Sequence, residues 1–184
     1  MNIDKIRKGI EKSKIEEIIY FEEVDSTNDI AKKENITKTS LIITDNQIKG
    51  RGTGNNKWQG SKKNITMTIV SIPNCKISDL DTFTIKVGEK IKEVIKEKYD
   101  IELVVKYPND LLLNNRKICG ILTESILRGE VVKKLIIGIG FNVNEEFIQS
   151  DIKNIATSLK IETKKEYIIE EVLCNICNGI IEII

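Results

Sequence analysis

Residues 49–63, KGRGTGNNKWQGSKK, concentrate positive charge: they hold five lysine or arginine side chains and no carboxylate, in a chain whose formal net charge is +1. Their glycines let backbone N–H groups approach an anion, and Trp58, the only tryptophan, offers a flat face on which a base can stack. The segment is not a Walker loop, because no glycine precedes Lys57 and no serine or threonine follows it. It favours a ligand of phosphates and a base, although a solvated surface loop explains the same charges equally well.

A lysine and an aspartate stand out in the stretch KYPNDLLLNNRKICGIL, residues 106–122. Pro108 ends one predicted strand, Asp110 follows in the tight connection, and Lys117 lies beyond the next hairpin. An antiparallel return would therefore bring Lys117 beside Asp110. Next to a phosphate site, such a pair can hold a carboxylate substrate against the α-phosphate of a nucleotide. The competing interpretation is an exposed hairpin salt bridge, which stabilises a fold by at most about 1 kcal/mol.

Two further stretches have both a structural and a functional interpretation. GIGFNVN, residues 138–144, lacks the third glycine and the following helix of a dinucleotide-binding turn. Its glycines instead indicate close approach of a ligand to the backbone, with Asn142 supplying an amide. DSTND, residues 25–29, is typical of a helix cap, and its hydroxyls bind a ligand only if that helix start faces the same cavity.

Composition excludes several classes of protein. The 184 residues include no histidine, which removes Ser-His-Asp and Cys-His catalysis and leaves lysine, arginine, carboxylates and amides. The 29 basic and 28 acidic residues argue against a surface that binds nucleic acid or anionic lipid throughout. Four cysteines without a secreted framework predict a reduced, cytoplasmic protein, and the CNIC pair at 174–177 is interpreted as core packing. No membrane span or signal peptide is expected.

The elements that position these residues follow from hydrophobic periodicity. Strands are predicted at 16–24 and 40–45, before the basic segment, and at 64–73, directly after it. A helix is predicted to start at Asp25 or Ser26. An amphipathic helix is predicted over 78–98. Strands follow at 101–107, 110–114, 116–127 and 131–143, and closing helices at 151–159 and 165–184. The pattern predicts an α+β fold: one domain over 1–184, with a single mixed, mostly antiparallel sheet and helices packed on one side.

Four stretches in this order, EVDSTND, QIKGRGTGNNKW, KYPNDLLLNNRKICGILTE and GIGFNVN, resemble the catalytic domain of biotin–protein ligases, from about Ile18 to the C-terminus. The resemblance implies the class II aminoacyl-tRNA synthetase/biotin ligase-like fold. It also implies an ATP-dependent ligase that forms biotinyl-5'-AMP and transfers biotin to a lysine of a biotin carboxyl carrier domain. Mg²⁺ would enter with ATP rather than on dedicated protein ligands. No DNA or membrane partner is expected, and a homodimer is compatible with the family.

The resemblance assigns roles residue by residue. Lys117 would bridge the biotin carboxylate and the α-phosphate, Asp110 would orient or deprotonate the carrier lysine, and Trp58 would meet the adenine. The biotin-binding set implied by the family is Ser26, Thr27, Asn28, Gln47, Gly50, Arg51, Lys117 and Gly120. The ATP-binding set is Arg51, Thr53, Trp58, Asn109, Lys117 and Asn142. The catalytic set is Lys117, Asp110 and Arg51.

The sequence departs from the family pattern in places that keep alternatives open. Thr53 stands where many members have a second arginine, which predicts weaker retention of the adenylate, and Tyr107 replaces a usual tryptophan. Neither the N-terminal winged helix nor the small C-terminal β-domain of other members is recognised. The alternatives are a lipoate or octanoate transferase and a non-catalytic or leaky biotin- or nucleotide-binding module. A single-stranded nucleic-acid binder is disfavoured by the net charge and scarce aromatics.

Overall fold

The computed structural model describes residues 1–10, 13–33, 35–52, 58, 60–146 and 156–184. Seven strands form one sheet in the order β1-β2-β3-β7-β6-β5-β4. The strands are β1 Glu17–Val24, β2 Ser40–Gln47, β3 Ile65–Ser71, β4 Val104–Lys106, β5 Asp110–Leu113, β6 Arg116–Arg128 and β7 Val131–Phe141. The α-helices are α1 Ile3–Gly9, α2 Thr27–Ala31, α3 Phe83–Tyr99, α4 Leu159–Thr163 and α5 Ile169–Ile181.

The sheet is mixed because one pair of strands is parallel. β1 and β2 run parallel, joined by a crossover that carries α2, whereas every other neighbouring pair is antiparallel. A parallel pair cannot be closed by a tight hairpin, so α2 is brought across a face of the sheet. The predicted single mixed, mostly antiparallel sheet is confirmed.

Apolar side chains alternate along the strands and bury the sheet on both faces. On one face, α1, α3 and α5 pack over β2, β3 and β7 through residues such as Ile6, Ile91, Ile176 and Ile69. On the other face, α2 and the residues after it contribute Ala31 and Ile36, which pack on Ile42, Val70 and Ile136. The large helices thus share one side as predicted, and α2 lies on the opposite side.

The register of β3, β7 and β6 aligns small and polar residues in rows on the face that carries α2. Thr66 pairs with Gly140, which pairs with Gly120. One step along, Thr68 pairs with Gly138, which pairs with Leu122. Side chains two residues apart on a strand point to the same face. The two rows therefore leave a hollow on this face, because three of the six positions have no side chain.

The C-terminal part of the chain differs from the prediction. The helix predicted over 151–159 is wrong for residues 156–158, and 151–155 lie outside the described residues. Ala156 instead forms a bridge with Lys117, and α4 begins only at Leu159. Ser158 ends the extended segment because its hydroxyl accepts a hydrogen bond from the backbone N–H of Ile161, as an N-cap does.

Other elements also differ from the prediction: α3 begins at Phe83 rather than at 78, and α5 begins at Ile169 rather than at 165. Helix α1, capped by Asn2, has no counterpart in the predicted elements. Strand β4 begins at Val104, so residues 101–103 of the predicted strand are not part of the sheet.

The cysteines of the CNIC pair lie in α5 and pack into the core. Both are buried, and burial raises the pKa of Cys174 to about 11 and that of Cys177 to about 12. Thiols with such pKa values stay protonated at neutral pH, so core packing is confirmed as their role. Within the described ranges, no helix combines the length and the apolar character needed to cross a membrane.

Candidate active site

An open cleft, whose empty space of about 410 Å³ includes solvent at its mouth, lies on the face of the sheet that carries α2. Its floor is built from the rows of β3, β7 and β6, with Thr66 and the three glycines at 120, 138 and 140. The cleft brings together seven of the predicted site residues, namely Ser26, Thr27, Asn28, Gln47, Arg51, Trp58 and Gly120. Residues that are distant in the sequence thus converge on one cavity.

The start of α2 faces the cleft, which was the condition for assigning its hydroxyls to a ligand. Ser26 caps the helix, and its hydroxyl accepts from the backbone N–H of Asp29 at 3.4 Å. The backbone N–H of Thr27 donates to Gln47 Oε1 at 2.9 Å, and the Thr27 hydroxyl oxygen lies 3.2 Å from the same atom. The amide nitrogen of Gln47 is turned toward Gly50, where an added Cβ would lie 2.5 Å from it.

Trp58 packs against two glycines of the floor. A Cβ on Gly140 would lie 2.0 Å from Trp58 Cε2, and one on Gly120 would lie 3.2 Å from Trp58 Cζ3. The close approach that the glycines allow is thus made by the indole ring. Trp58 Nε1 and Thr66 Oγ1 are buried without a hydrogen-bond partner among the described residues. Unsatisfied buried polar atoms in a cleft are groups that a ligand can pair.

Lys117 and Asp110 meet beside the cleft, as the hairpin prediction required. Lys117 Nζ lies 2.7 Å from Asp110 Oδ1 and 5.8 Å from the centre of the Trp58 ring. The contact is an ion pair rather than a well-aligned hydrogen bond, because Asp110 Oδ1 has no hydrogen-bond partner in the described part of the chain. Both side chains remain partly accessible, with 33% of Lys117 and 21% of Asp110 exposed.

A β-bulge turns Lys117 toward the cleft. Leu111 pairs with Cys119, but Leu112 pairs with Lys117, so β6 carries one extra residue, Ile118, between these pairs. In a regular strand without the bulge, Lys117 and Gly120 would face opposite sides of the sheet, because they are three positions apart. With it, Ile118 is buried in the core, and a Cβ on Gly120 would lie 3.3 Å from Lys117 Nζ.

Arg51 pairs with two carboxylates of the protein. Its guanidinium contacts Asp29 of α2 and lies 3.5 Å from Glu124 of β6. Lys49 also makes an ion pair, with Asp25 at 2.8 Å, so two cations of the basic segment are held at the start of α2. Thr53, predicted to contact ATP, lies outside the described residues.

Glu124 is a cleft-side residue that the sequence reasoning missed. It accepts hydrogen bonds from Asn28 at 2.9 Å and from Lys32 at 2.7 Å. Burial alone would raise the pKa of Glu124, but the hydrogen bonds from Lys32 and Asn28 outweigh it and lower the pKa. Its position was readable from the sequence, because Glu124 lies four residues after Gly120 on one strand and so shares its face.

The two predicted asparagines hold the backbone around the site. Asn109 donates from its amide to the carbonyl of Ile121 at 3.2 Å, and Asn142 donates to the carbonyl of Thr157 at 2.9 Å. Neither side chain is part of the cleft lining described above. Their predicted contacts with ATP therefore stay predictions.

The backbone of Lys117 is held from the far side by the segment before α4. The N–H of Thr157 donates to the carbonyl of Lys117 at 2.8 Å. Glu162 of α4 binds the Thr157 hydroxyl and the Arg116 guanidinium, and it accepts from Asn114 at 2.7 Å. Burial would raise the pKa of Glu162, but these hydrogen bonds and the charge of Arg116 lower it overall. The cluster fixes the strand end from which Lys117 projects.

The fold and the cleft define a class of protein that is also recognised by a family model. The model of the Biotin/lipoate A/B protein ligase family matches residues 20–142, which contain the first three motifs and the first five residues of the fourth. The chain therefore belongs to the biotin/lipoate A/B protein ligase family, and the resemblance inferred from the motifs is confirmed.

Individual relatives place the chain near the biotin ligases. It is 32% identical over 148 residues to the bifunctional ligase/repressor BirA of Bacillus subtilis, an alignment that covers 77% of this chain and 46% of that protein. The chain thus spans about half the length of the relative.

Solved structures show the same fold. A biotin protein ligase from Aquifex aeolicus, in complex with biotin and ATP, matches with a TM-score of 0.80 and 32% identity, covering 91% of this chain and 70% of that one. A biotin protein ligase from Leishmania major, in complex with biotinyl-5-AMP, matches with a TM-score of 0.75 and 26% identity, covering 91% and 74%.

Proposed function

We propose that this chain carries the catalytic site of an ATP-dependent biotin–protein ligase, which forms biotinyl-5'-AMP and transfers biotin to a lysine of a biotin carboxyl carrier domain. The observation that carries the proposal is the Lys117–Asp110 pair beside a cleft lined by Thr27 and Gln47. The biotin ligases among the relatives favour biotin over lipoate or octanoate.

In the first step, a carboxylate oxygen of biotin attacks the α-phosphorus of ATP. A new C–O–P linkage forms, the bond to the bridging oxygen breaks, and pyrophosphate leaves with that electron pair. Two anions must meet in this step, so a cation at the meeting point lowers the barrier. A unit charge at 4 Å contributes about 4 kcal/mol at an effective dielectric constant of 20. Lys117 supplies that charge, because the bulge points its ammonium toward the cleft.

In the second step, the amine of the carrier lysine attacks the acyl carbon of the adenylate. An amide bond forms, the bond between the acyl carbon and the phosphate oxygen breaks, and AMP leaves. The attacking amine must lose a proton. Asp110 is suited to orient the amine or accept this proton, because its carboxylate already holds the ammonium group of Lys117 at 2.7 Å beside the cleft.

The remaining site residues bind the two substrates. Ser26, Thr27 and Gln47 contact the ureido ring and neighbouring atoms of biotin, Asn28 supports them, and Gly120 leaves room for the tail. Gly50 and Arg51 close over the carboxylate end, which requires Arg51 to exchange its present carboxylate partners for the ligand. Trp58 meets the adenine. Asn109, Asn142 and Thr53 complete the nucleotide side.

Four further parts of the proposal concern the setting of the reaction. We place Mg²⁺ on the triphosphate, because the polar groups at the cleft are mainly cationic, amide and hydroxyl groups, which suit phosphate oxygens. The chain acts as a single catalytic domain over 1–184, as a monomer or homodimer. DNA and membranes are not partners. A reducing cytoplasm suits its four free cysteines.

The test is pyrophosphate–ATP exchange by the purified chain with Mg²⁺ and, in parallel reactions, biotin, lipoate or octanoate. Exchange that depends on biotin is the expected result, because only the reversible formation of an acyl-adenylate returns labelled pyrophosphate to ATP. Exchange with lipoate or octanoate alone would contradict the choice of substrate. Biotin binding by calorimetry without any exchange would contradict the assignment of catalysis.

A further inference from the structure

A line of hydrogen bonds runs behind the cleft from a charged residue to a predicted biotin contact. It begins at Glu124 on β6, continues through Asn28 of α2 and Thr68 of β3, and ends at Thr27. Thr68 is fully buried and does not line the cleft, and neither it nor Glu124 belongs to the residues that the family resemblance assigns. The two residues nevertheless determine what Thr27 can offer a ligand.

The orientation of the Asn28 amide is fixed by its neighbours. Its nitrogen lies 2.9 Å from Glu124 Oε2 and 3.3 Å from the carbonyl oxygen of Leu122. Both neighbours only accept hydrogen bonds when the carboxylate is ionised, so the NH₂ group must face them. The Asn28 oxygen therefore faces Thr68. It also lies over Gly138, where a Cβ would be 2.3 Å from it.

Glu124 is held in its ionised form, in which it only accepts hydrogen bonds. Lys32 donates to one of its oxygens at 2.7 Å, and the Arg51 guanidinium lies 3.5 Å from the other. Although burial opposes ionisation, the hydrogen bonds lower the pKa of Glu124 overall.

The single proton of the Thr68 hydroxyl decides the direction of the remaining bonds. Thr68 Oγ1 lies 2.7 Å from the Asn28 oxygen and 2.8 Å from Thr27 Oγ1. The amide oxygen can only accept, so Thr68 donates to Asn28. The proton between Thr68 and Thr27 must then come from Thr27. Gln47 Oε1 remains paired, because the backbone N–H of Thr27 donates to it at 2.9 Å.

We propose that Thr68 and Glu124 are positioning residues that turn the Thr27 hydroxyl into a hydrogen-bond acceptor toward the cleft, so that the site selects an acid whose ring presents an N–H group. The inference rests on the proposed function and deepens it. With its proton committed to Thr68, Thr27 has only lone pairs left for a ligand. An N–H of a cyclic urea pairs with them, whereas a ring oxygen at the same place would meet them lone pair to lone pair.

The test compares binding of biotin with binding of the two cyclic carbamates in which one or the other ureido N–H is replaced by a ring oxygen. Calorimetry on the full chain gives each affinity. In the unmodified chain, one of the two carbamates is expected to bind at least about tenfold more weakly than biotin, because a buried hydrogen bond is lost and two acceptors face each other.

The variant T68V removes the acceptor for the Thr27 proton with little change of volume. Thr27 then keeps only Gln47 Oε1, 3.2 Å away and already paired with the Thr27 N–H, as an acceptor among the described residues, and it can turn its proton toward the cleft and donate to a ring oxygen. Biotin is expected to bind more weakly and that carbamate more tightly, so the ratio of the two affinities shrinks about tenfold. A merely structural loss would weaken both ligands together. T68S keeps the hydroxyl and is expected to keep the ratio.

Two further variants complete the design. E124Q changes a partly exposed side chain and removes the charge that fixes the Asn28 amide. It is expected to shift the ratio of the two affinities in the same direction as T68V, and it keeps the test available if T68V does not fold. T84V is the matched control, because it removes the hydroxyl from the Thr84–Thr123 pair, which lies between α3 and β6 outside the cleft lining. The ratio is expected to stay unchanged in T84V.

The outcomes distinguish the role of Thr68 and Glu124 from the proposed ligase function. Tight biotin binding with equal losses for both ligands in T68V, or an unchanged ratio in both T68V and E124Q, would overturn the role of Thr68 and Glu124 and leave the proposed function standing. Failure of the unmodified chain to bind biotin would overturn the proposed function and, with it, this inference.

Discussion

Lys117 and Asp110 are seven residues apart in the sequence, yet their meeting depends on a single extra residue in β6. The order of strands and turns predicted that the two side chains would meet, because a hairpin return is visible in the residue pattern. The bulge at Ile118 was not predicted, since an extra residue in a strand leaves no clear mark on hydrophobic alternation. The bulge is nevertheless what turns the ammonium group of Lys117 toward the cleft.

Replacement of Lys117 by alanine tests the cation at the reacting centre. K117A is expected to lower the rate of biotin-dependent pyrophosphate exchange by about 100- to 1,000-fold, as the loss of one group that stabilises transition-state charge does elsewhere. The matched control is K92A, whose lysine pairs with Glu89 on the surface of α3. A K117A protein that keeps its fold by circular dichroism and also keeps its exchange rate would exclude the role given to Lys117.

The position of Glu124 could be predicted from the sequence, but its hydrogen-bond and ion-pair partners could not. Strand alternation placed it on the same face as Gly120, so its location could be inferred. Its partners Asn28, Lys32 and Arg51 come from distant segments, and only the folded chain shows that they converge on one carboxylate. The sequence likewise predicts contacts of Arg51 with a ligand but not its ion pairs with Asp29 and Glu124.

Among the elements, the sheet was predictable and the helix ends were less so. Strands β2, β3 and β7 are marked by runs of apolar residues, and the antiparallel pairing of β4 with β5, β5 with β6 and β6 with β7 follows from short connections. The sequence predicts a helix at 156–158, because these residues suit a helix as well as a strand. In the structure, tertiary contacts with Lys117 and Asn142 decide the matter in favour of an extended backbone.

A pair of glycine substitutions separates packing from backbone entropy. Gly88 lies inside α3, where a Cβ would meet Ile121 and Val105 at an ordinary 3.6 Å. G88A is expected to raise the free energy of unfolding by about 0.5–1 kcal/mol, because alanine loses less conformational freedom than glycine in a helix. Gly138 lies in β7 beneath Asn28. G138A is expected to lower the free energy of unfolding by about 1–3 kcal/mol, because the methyl group overlaps the Asn28 oxygen.

Urea unfolding of the two variants beside the unmodified chain measures both changes. Stabilisation by G138A, or a loss of stability in G88A, would show that the packing around these glycines differs from the description given above.

For the molecule as a whole, the carboxylate of Glu162 makes stability depend on pH. The hydrogen bonds and the Arg116 charge lower its pKa in the folded chain below the ordinary value of 4.5. A lowered folded pKa means that the unfolded chain binds the proton more readily. The stabilisation is therefore present above about pH 4.5 and is lost as the pH falls through the folded pKa.

The variant E162Q tests this dependence. At pH 7 it is expected to unfold with a free energy lower by about 1.5–3 kcal/mol, the range for hydrogen bonds to a charged group. The difference from the unmodified chain should shrink as urea unfolding is repeated below pH 4.5. E166Q is the control, because Glu166 is 73% exposed and pairs with Lys160 at the surface. A difference that stays constant from pH 7 to pH 3.5 would rule out ionisation of Glu162 as its source.

The central claim is that this cleft joins a biotin carboxylate to the α-phosphate of ATP. The most direct measurement is a single-turnover reaction of the chain with biotin and ATP labelled in the α-phosphate, with the products separated by chromatography. We expect the labelled α-phosphate to appear in biotinyl-5'-AMP, formed together with one equivalent of pyrophosphate. Recovery of the label only in ATP, from a chain shown by calorimetry to have bound both substrates, would contradict this claim.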